Sequence, residues 1–285
     1  MLWNLITMGS LAARTPHKPH NLPSRFASFP LGRPIRLRAC RGISASSPGA
    51  SSPEGGGTGT GAGSGTGTGT SMHAHPWDES TPLLVVVSRY GEDITWTDDV
   101  KHPVIVYEKE TPSAAYNTPK NKAKEASSYL QFLSEQYNNL PEHVAFTHGS
   151  DTSWHHRGYL RNKLNVVALP ATKPYKSFNR NRLNSIAKHP QHYFPHLPVY
   201  WSETLEPYFG PMDKLGDFTL NYKGSAQFLV PRWAIQARPQ RLFQELYDWS
   251  MTTTMEDFWS SRMLEYTWHV LFDIDAFPLV DDAPR

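Results

Sequence analysis

Pro82-Leu83-Leu84-Val85-Val86-Val87-Ser88-Arg89-Tyr90-Gly91-Glu92-Asp93 is the stretch that decides the fold. A continuous apolar run rich in β-branched residues, with no polar alternation, suits a strand covered on both faces, as in the middle of a parallel sheet. It stops abruptly at polar residues. Downstream, His102 to Tyr107 reads as a second strand, and Ala123 to Tyr137 as a helix. The helix carries Ala126, Tyr129, Leu130, Leu133 and Tyr137 at three- and four-residue spacing along one face. Asn138-Asn139-Leu140-Pro141 ends it, because a residue before proline disfavours the α region. His143 to His148 is a third strand, ending at Gly149. Strand, strand, helix, strand opens an α/β fold, and such connections favour parallel pairing.

The middle of the chain is rich in proline, histidine and aromatics. There only Val166 to Leu169 reads as a short strand, and His189, His192 and His196 read as loop residues. Regular signals return with a strand at Ala226 to Val230 and a helix from Pro239 to Ser250 that buries Leu242, Phe243, Leu246 and Trp249. A last helix, Glu256 to Phe272, is apolar around most of its circumference and is expected against the sheet. The expectation is one α/β domain over residues 79–280, with a central, mostly parallel sheet flanked by helices.

The 285 residues carry a net charge of +2, but unevenly. Residues 1–53 hold seven basic residues and no acid, whereas residues 54–285 hold 21 basic against 26 acidic. A polyanion-binding body needs a clustered cationic surplus, so nucleic acid is not an expected partner. The acid-free leader, rich in Arg and Ser, reads as a plastid or mitochondrial transit peptide; the alternatives are an unstructured extension or a mispredicted start codon, on a cytoplasmic or secretory protein. Residues 54–78 are a linker, since nine of the 19 glycines fall in 55–69 and leave little apolar surface to bury. Neither GxGxxG nor GxxxxGK[ST] occurs, which removes a Rossmann fingerprint and a P-loop. Cys40 stands alone in the leader, so no intrachain disulfide and no cysteine zinc site is expected. No run of 18 apolar residues exists to span a membrane.

Three clusters carry candidate chemistry. At the end of the first strand, Arg89 offers a planar donor fork for a diphosphate or carboxylate, and Glu92 and Asp93 could orient hydroxyls or a cation. The alternative there is a solvated turn with a local ion pair. After the third strand, His148, Asp151, His155 and His156 could ligate a divalent ion, with Trp154 as a stacking platform. The same residues also suit a binding rim or plain loop packing. On the last helix, Arg262, Glu265 and His269 share a face, so a carboxylate could fix an imidazole tautomer; a structural charge stripe is the alternative. Trp96, beside polar turn residues, is a second candidate stacking surface.

The strings VVVSRYGEDITW, IVYEK, YLQFLSEQYNNLPEHVAFTHG, AQFLVPRWAIQARPQRLFQELYDW and LEYTWHVLF, in that order, resemble the eukaryotic family known as domain of unknown function 3431. The resemblance runs from about Leu83 to Phe272. Family members usually have Asn where this chain has Gly91, Cys where Ser225 stands, and Ser where Pro231 stands. It carries over Arg89, Glu92, Asp93, His148, Gln227, Arg232, Glu265 and His269. Arg-Tyr-x-Glu-Asp after the first strand, with a late Glu-x-x-Trp-His helix, is in turn similar to nucleotide-sugar glycosyltransferases of the single-sheet, A-like type. That similarity implies Arg89 or Arg232 on the leaving diphosphate and Glu92 or Asp93 on the donor ribose or base. It implies His148 or Asp151 as cation ligand or base, with Mn or Mg as the expected cation. Such enzymes typically bear Asp-x-Asp, where this chain has His148-Gly149-Ser150-Asp151. A small-molecule or glycan substrate is the expected partner. The competing readings are a carbohydrate- or nucleotide-binding module without turnover and a metal-assisted hydrolase built on the His148 loop.

Overall fold

In a computed structural model, residues 75–179, 195–214, 224 and 226–285 are described. The leader, the glycine tract, His189, His192 and Ser225 lie outside the described residues. The apolar run folds as β1 (Leu84–Arg89), flanked by β2 (Val104–Glu108) and β3 (His143–His148), both parallel to it. Val86 sits between Ile105 on one side and Phe146 on the other. Beyond β3 the direction reverses at β5 (Phe228–Pro231), which is antiparallel to β3 and to the short edge strand β4 (Lys176–Ser177). The sheet order is β2-β1-β3-β5-β4, with β5 opposed to the other four.

Alternate residues of β1 point to opposite faces, and both faces are covered. Leu84 and Val86 join the larger core with α1 (Glu125–Glu135), α6 (Gln240–Thr252) and α7 (Asp257–Phe272). Leu83, Val85 and Val87 join a smaller core with Trp96 and with Leu160 and Leu164 of α2 (Leu160–Asn165). A short 3-10 turn, Thr95–Asp99, completes that thinner layer. The expected helices stand, each shifted by a residue or two. Pro239 is the N-cap of α6, where its missing N–H costs nothing.

Residues Val166 to Leu169 do not form the expected strand. Asn165 ends α2, Val166 is exposed just beyond it, and the free edge of β5 is taken by Lys176 and Ser177. Val167 and Leu169 pack on the smaller core without pairing, so their apolar character records packing and not a ladder. Three elements gave no usable sequence signal. They are α2, a helical stretch formed by α3 (Leu197–Tyr200), a π segment (Trp201–Leu205) and α4 (Glu206–Phe209), and finally α5 (Arg232–Gln236).

α7 is buried along most of its length, so its last carbonyls need partners inside the protein. Arg238 supplies them. Its guanidinium is almost fully buried and donates to the carbonyls of Leu271 (2.6 Å), Val270 (3.3 Å) and Phe277 (2.7 Å), while lying 5.0 Å over the Phe209 ring. We expect Arg238→Met, which keeps the bulk but removes every donor, to cost about 3–5 kcal/mol. In a thermal melt that is a loss on the order of 10 °C. A melt unchanged within 2 °C or so would show that the cap is dispensable.

Candidate functional site

Three parallel strands end side by side at Arg89, Glu108 and His148. In an open α/β sheet the crevice beyond such ends is where ligands bind. A cleft of about 240 Å³ lies there, lined by Ser88, Tyr90, Glu92, Lys109, Asn121, Lys124, Glu125 and His148.

Arg89 is placed at the crevice, but its fork is committed. One nitrogen pairs with Glu108 at 2.8 Å and Nε donates to the Glu92 carbonyl at 2.8 Å. It therefore braces the turn that carries Tyr90 and Glu92. That turn passes through Gly91 at φ +81°, a conformation open to glycine and, among other residues, most readily to asparagine. An asparagine there, as the family resemblance implies, would keep the same backbone. The Glu92 carboxylate accepts the Tyr90 N–H and packs on Gly149. A Cβ at Gly149 would lie 2.9 Å from Glu92, so this approach requires glycine. Asp93 points away, exposed, and accepts the Thr95 N–H, which holds its pKa low.

His148 has both ring nitrogens engaged. The Ser150 N–H donates to Nδ1 at 3.3 Å, so the neutral ring carries its proton on Nε2. Nε2 lies 2.6 Å from the Gln227 carboxamide nitrogen, while Gln227 Oε1 is buried without a partner. Turning that amide over resolves both facts, with Nε2–H donating to Oε1. Burial pushes the His148 pKa down to about 4, helped by His155 and His156. His155 stacks under the exposed Trp154 at 3.9 Å and is also pushed down to about 4, by burial and then by the Arg262 charge. Trp154 therefore remains an open aromatic surface at the site's edge.

Asp151 does not join these histidines. Its carboxylate accepts the backbone N–H of Arg161 at 3.1 Å and pairs with the Arg161 guanidinium, anchoring the start of α2. Among the described residues no three His, Cys, Asp or Glu side chains converge as ligands for one ion. The expected His148/Asp151/His155 set is thus not assembled. Trp96 is buried and not a stacking surface; its Nε1 donates to the Gly149 carbonyl at 2.7 Å and pins the loop from beneath. Arg232 lies at the opposite end of the sheet, where Pro231 pairs with His143 at the start of β3. It donates to the carbonyls of Leu140 and Glu79, both at 3.1 Å. His269 is buried at the far end of α7 against Phe277.

The groups that sequence reasoning missed come from the second strand and the first helix. Lys109 follows β2 and is nearly buried, and its ammonium donates to the Lys122 and Lys124 carbonyls and to Ser127 Oγ at 2.7 Å. Burial lowers its pKa to about 8. Ala123 and Lys124 both adopt positive φ, 49° and 48°, which bends the chain so that these carbonyls converge. Immediately after the bend α1 begins with Glu125, facing the cleft. A signal was present. The rule that singled out the ends of β1 and β3 applies equally to β2, and a helix feeding a parallel strand must start at that same end. From α7, Glu265 accepts from Arg262 at 3.0 Å, and both Arg262 and Lys124 lie over the Phe258 ring.

Glu265 is buried, and its pKa is raised from 4.5 to about 7 by desolvation and the neighbouring Glu125 charge, against the pull of Arg262 and Lys124. An acid raised on folding holds its proton where the unfolded chain has lost it, so the stability it contributes is full below pH 4.5 and lost as pH rises to about 7. Glu265→Gln removes that loss. We expect the stability difference between variant and wild type to move in the variant's favour by roughly 2–3 kcal/mol between pH 4.5 and 8. Denaturant melts at the two pH values check it; a pH-independent difference would refute the burial of an ionising carboxyl there.

No curated protein and no solved structure matches the chain. A family model does, described as Protein of unknown function (DUF3431), over residues 84–279, which takes in every strand and every cleft-lining residue. The chain belongs to that family.

Proposed function

We propose that the protein is a glycosyltransferase-like enzyme that binds a nucleotide-sugar donor in the cleft at the carboxyl ends of β1, β2 and β3. The observation that carries this reading is the pairing of opposite charges on one small cavity, Lys109 and Lys124 with Glu92 and Glu125, at the ligand-binding end of an α/β sheet. A cavity of about 240 Å³ takes a sugar ring or a diphosphate but not a whole sugar nucleotide, so the rest of the donor lies outside it. Tyr90, half exposed on the rim, offers a face for the base. Because Arg89 is paired with Glu108 and Arg232 is remote, the cation for the departing diphosphate is Lys124, supported by Lys109 behind it. Neutral His148, fixed by Gln227, shapes the floor.

A ligand present at 100 times its dissociation constant adds about 2.7 kcal/mol of stability, on the order of 5–10 °C for a domain of this size. We expect that shift for the full chain with at least one of UDP, GDP or their hexose conjugates, and its loss in Lys124→Met, which removes the cation without adding a like charge beside Glu125 and still melts as a folded chain without ligand. Binding without release of nucleoside diphosphate from any conjugate would identify a binding module. No shift with any of these probes would end the transferase reading.

A further inference from the structure

The cleft-lining groups can be sorted by what each has left to give. Ser88 Oγ donates to Ser128 Oγ at 3.0 Å. Glu92 turns Oε2 to the Tyr90 N–H and packs on Gly149, which ties this carboxylate to the β1 turn and leaves one oxygen uncommitted. The Lys109 ammonium has its protons directed at two carbonyls and a hydroxyl. His148 uses both nitrogens. Lys124, Asn121 and Tyr90 bring an ammonium, a carboxamide and a phenol to the cleft, and none of these is a carboxylate or imidazole base. Two carboxylates remain, and whereas Glu92 is tied to the Tyr90 N–H, Glu125 faces the cavity from the first turn of α1 and accepts only from its own backbone N–H.

Resting on the transferase reading above, we infer that Glu125 is the catalytic base of the cleft. The acceptor hydroxyl gives its proton to the Glu125 carboxylate as its oxygen bonds the anomeric carbon. The anomeric carbon–phosphate oxygen bond breaks, and its electron pair leaves with the nucleoside diphosphate. No further reactant is needed. Charge surrounds Glu125 on every side. Lys109 approaches from the end of β2, Lys124 from its own turn, and Arg262 and Glu265 from α7, while Tyr129 faces it along α1 and Glu92 lies across the same pocket of charge. Burial raises the Glu125 pKa against the pull of the three cations, and its negative charge in turn raises that of Glu265. A carboxyl raised in this way takes up a proton more readily than an ordinary glutamate does.

The test uses the full chain with the sugar nucleotide that gives the largest thermal shift, reading nucleoside diphosphate release with water or simple saccharides as acceptor. Glu125→Gln should lower turnover by about 10²–10⁴-fold while keeping the diphosphate-induced shift, which also shows that the variant folds. In wild type kcat/KM should rise with pH along a limb lying above the usual carboxylate range, and that limb should be missing from the residual activity of Glu125→Gln. A Glu125→Gln chain with full turnover, or one that keeps the wild-type limb, overturns the assignment and leaves the transferase reading standing. Wild type that binds diphosphate but releases none from any conjugate also overturns it, leaving a binding cleft. Wild type that neither binds nor turns over removes the transferase reading and this inference with it.

Discussion

The ammonium of Lys109 is the contact around which the site is organised. A nearly buried cation is costly unless its donors are satisfied, and here two main-chain carbonyls and a serine hydroxyl converge on it. Those carbonyls can converge because Ala123 and Lys124 accept backbone angles that L-residues avoid. The electrostatic gain and the local strain therefore belong to one device. Its product is positional, since it sets where α1 starts and so where Glu125 and the Lys124 side chain stand. A second tie comes from α7, where Asp257 reaches the Ala123 N–H at 3.3 Å and the Lys122 ammonium at 3.6 Å.

Around that device the two faces of the sheet are built differently. One face carries α1, α6 and α7, with the shorter α3, α4 and α5 in the same core, and an aromatic cluster in which Tyr129, Phe146, Phe228 and Trp268 touch one another. Two charged side chains enter this side with partners, Arg238 on the α7 carbonyls and Glu265 on Arg262. The other face is covered by a 3-10 turn and a six-residue helix. That thin layer is held by Trp96 on the Gly149 carbonyl and by Asp151 on Arg161, two of the residues whose sequence context suggested ligand contact.

Elements were legible in the sequence where a local pattern suffices. The run at β1 needs no partner to declare that it is buried on both sides, and the stripe of α1 declares its inner face. Direction was less legible. The reversal at β5 depends on which edge of β3 is open, a property of the assembled sheet. Val166 to Leu169 has strand composition, but β4 occupies the edge it would need. In the site, the ends of β1 and β3 were identified because their loops are dense in polar residues. Lys109 and Glu125 sit in unremarkable surroundings and gain their character only when 15 residues of intervening chain fold back. Arg89, Trp96 and Asp151 are polar groups whose partners lie elsewhere in the chain, and a linear reading cannot distinguish a committed hydrogen bond from an available one.

The unequal thickness of the two layers also sets how the molecule breathes. Amide exchange through local opening follows the apolar area that an opening exposes. The loop from Gly149 to Tyr159 rests on the thin side, with Trp154 and Tyr159 half in solvent. It can lift while the thicker, helical side stays closed, so its protons exchange with the solvent long before those of β1. The indole that stacks on His155 is thus carried on the part of the fold that is cheapest to move, while the groups behind it stay fixed by the slowest-opening core.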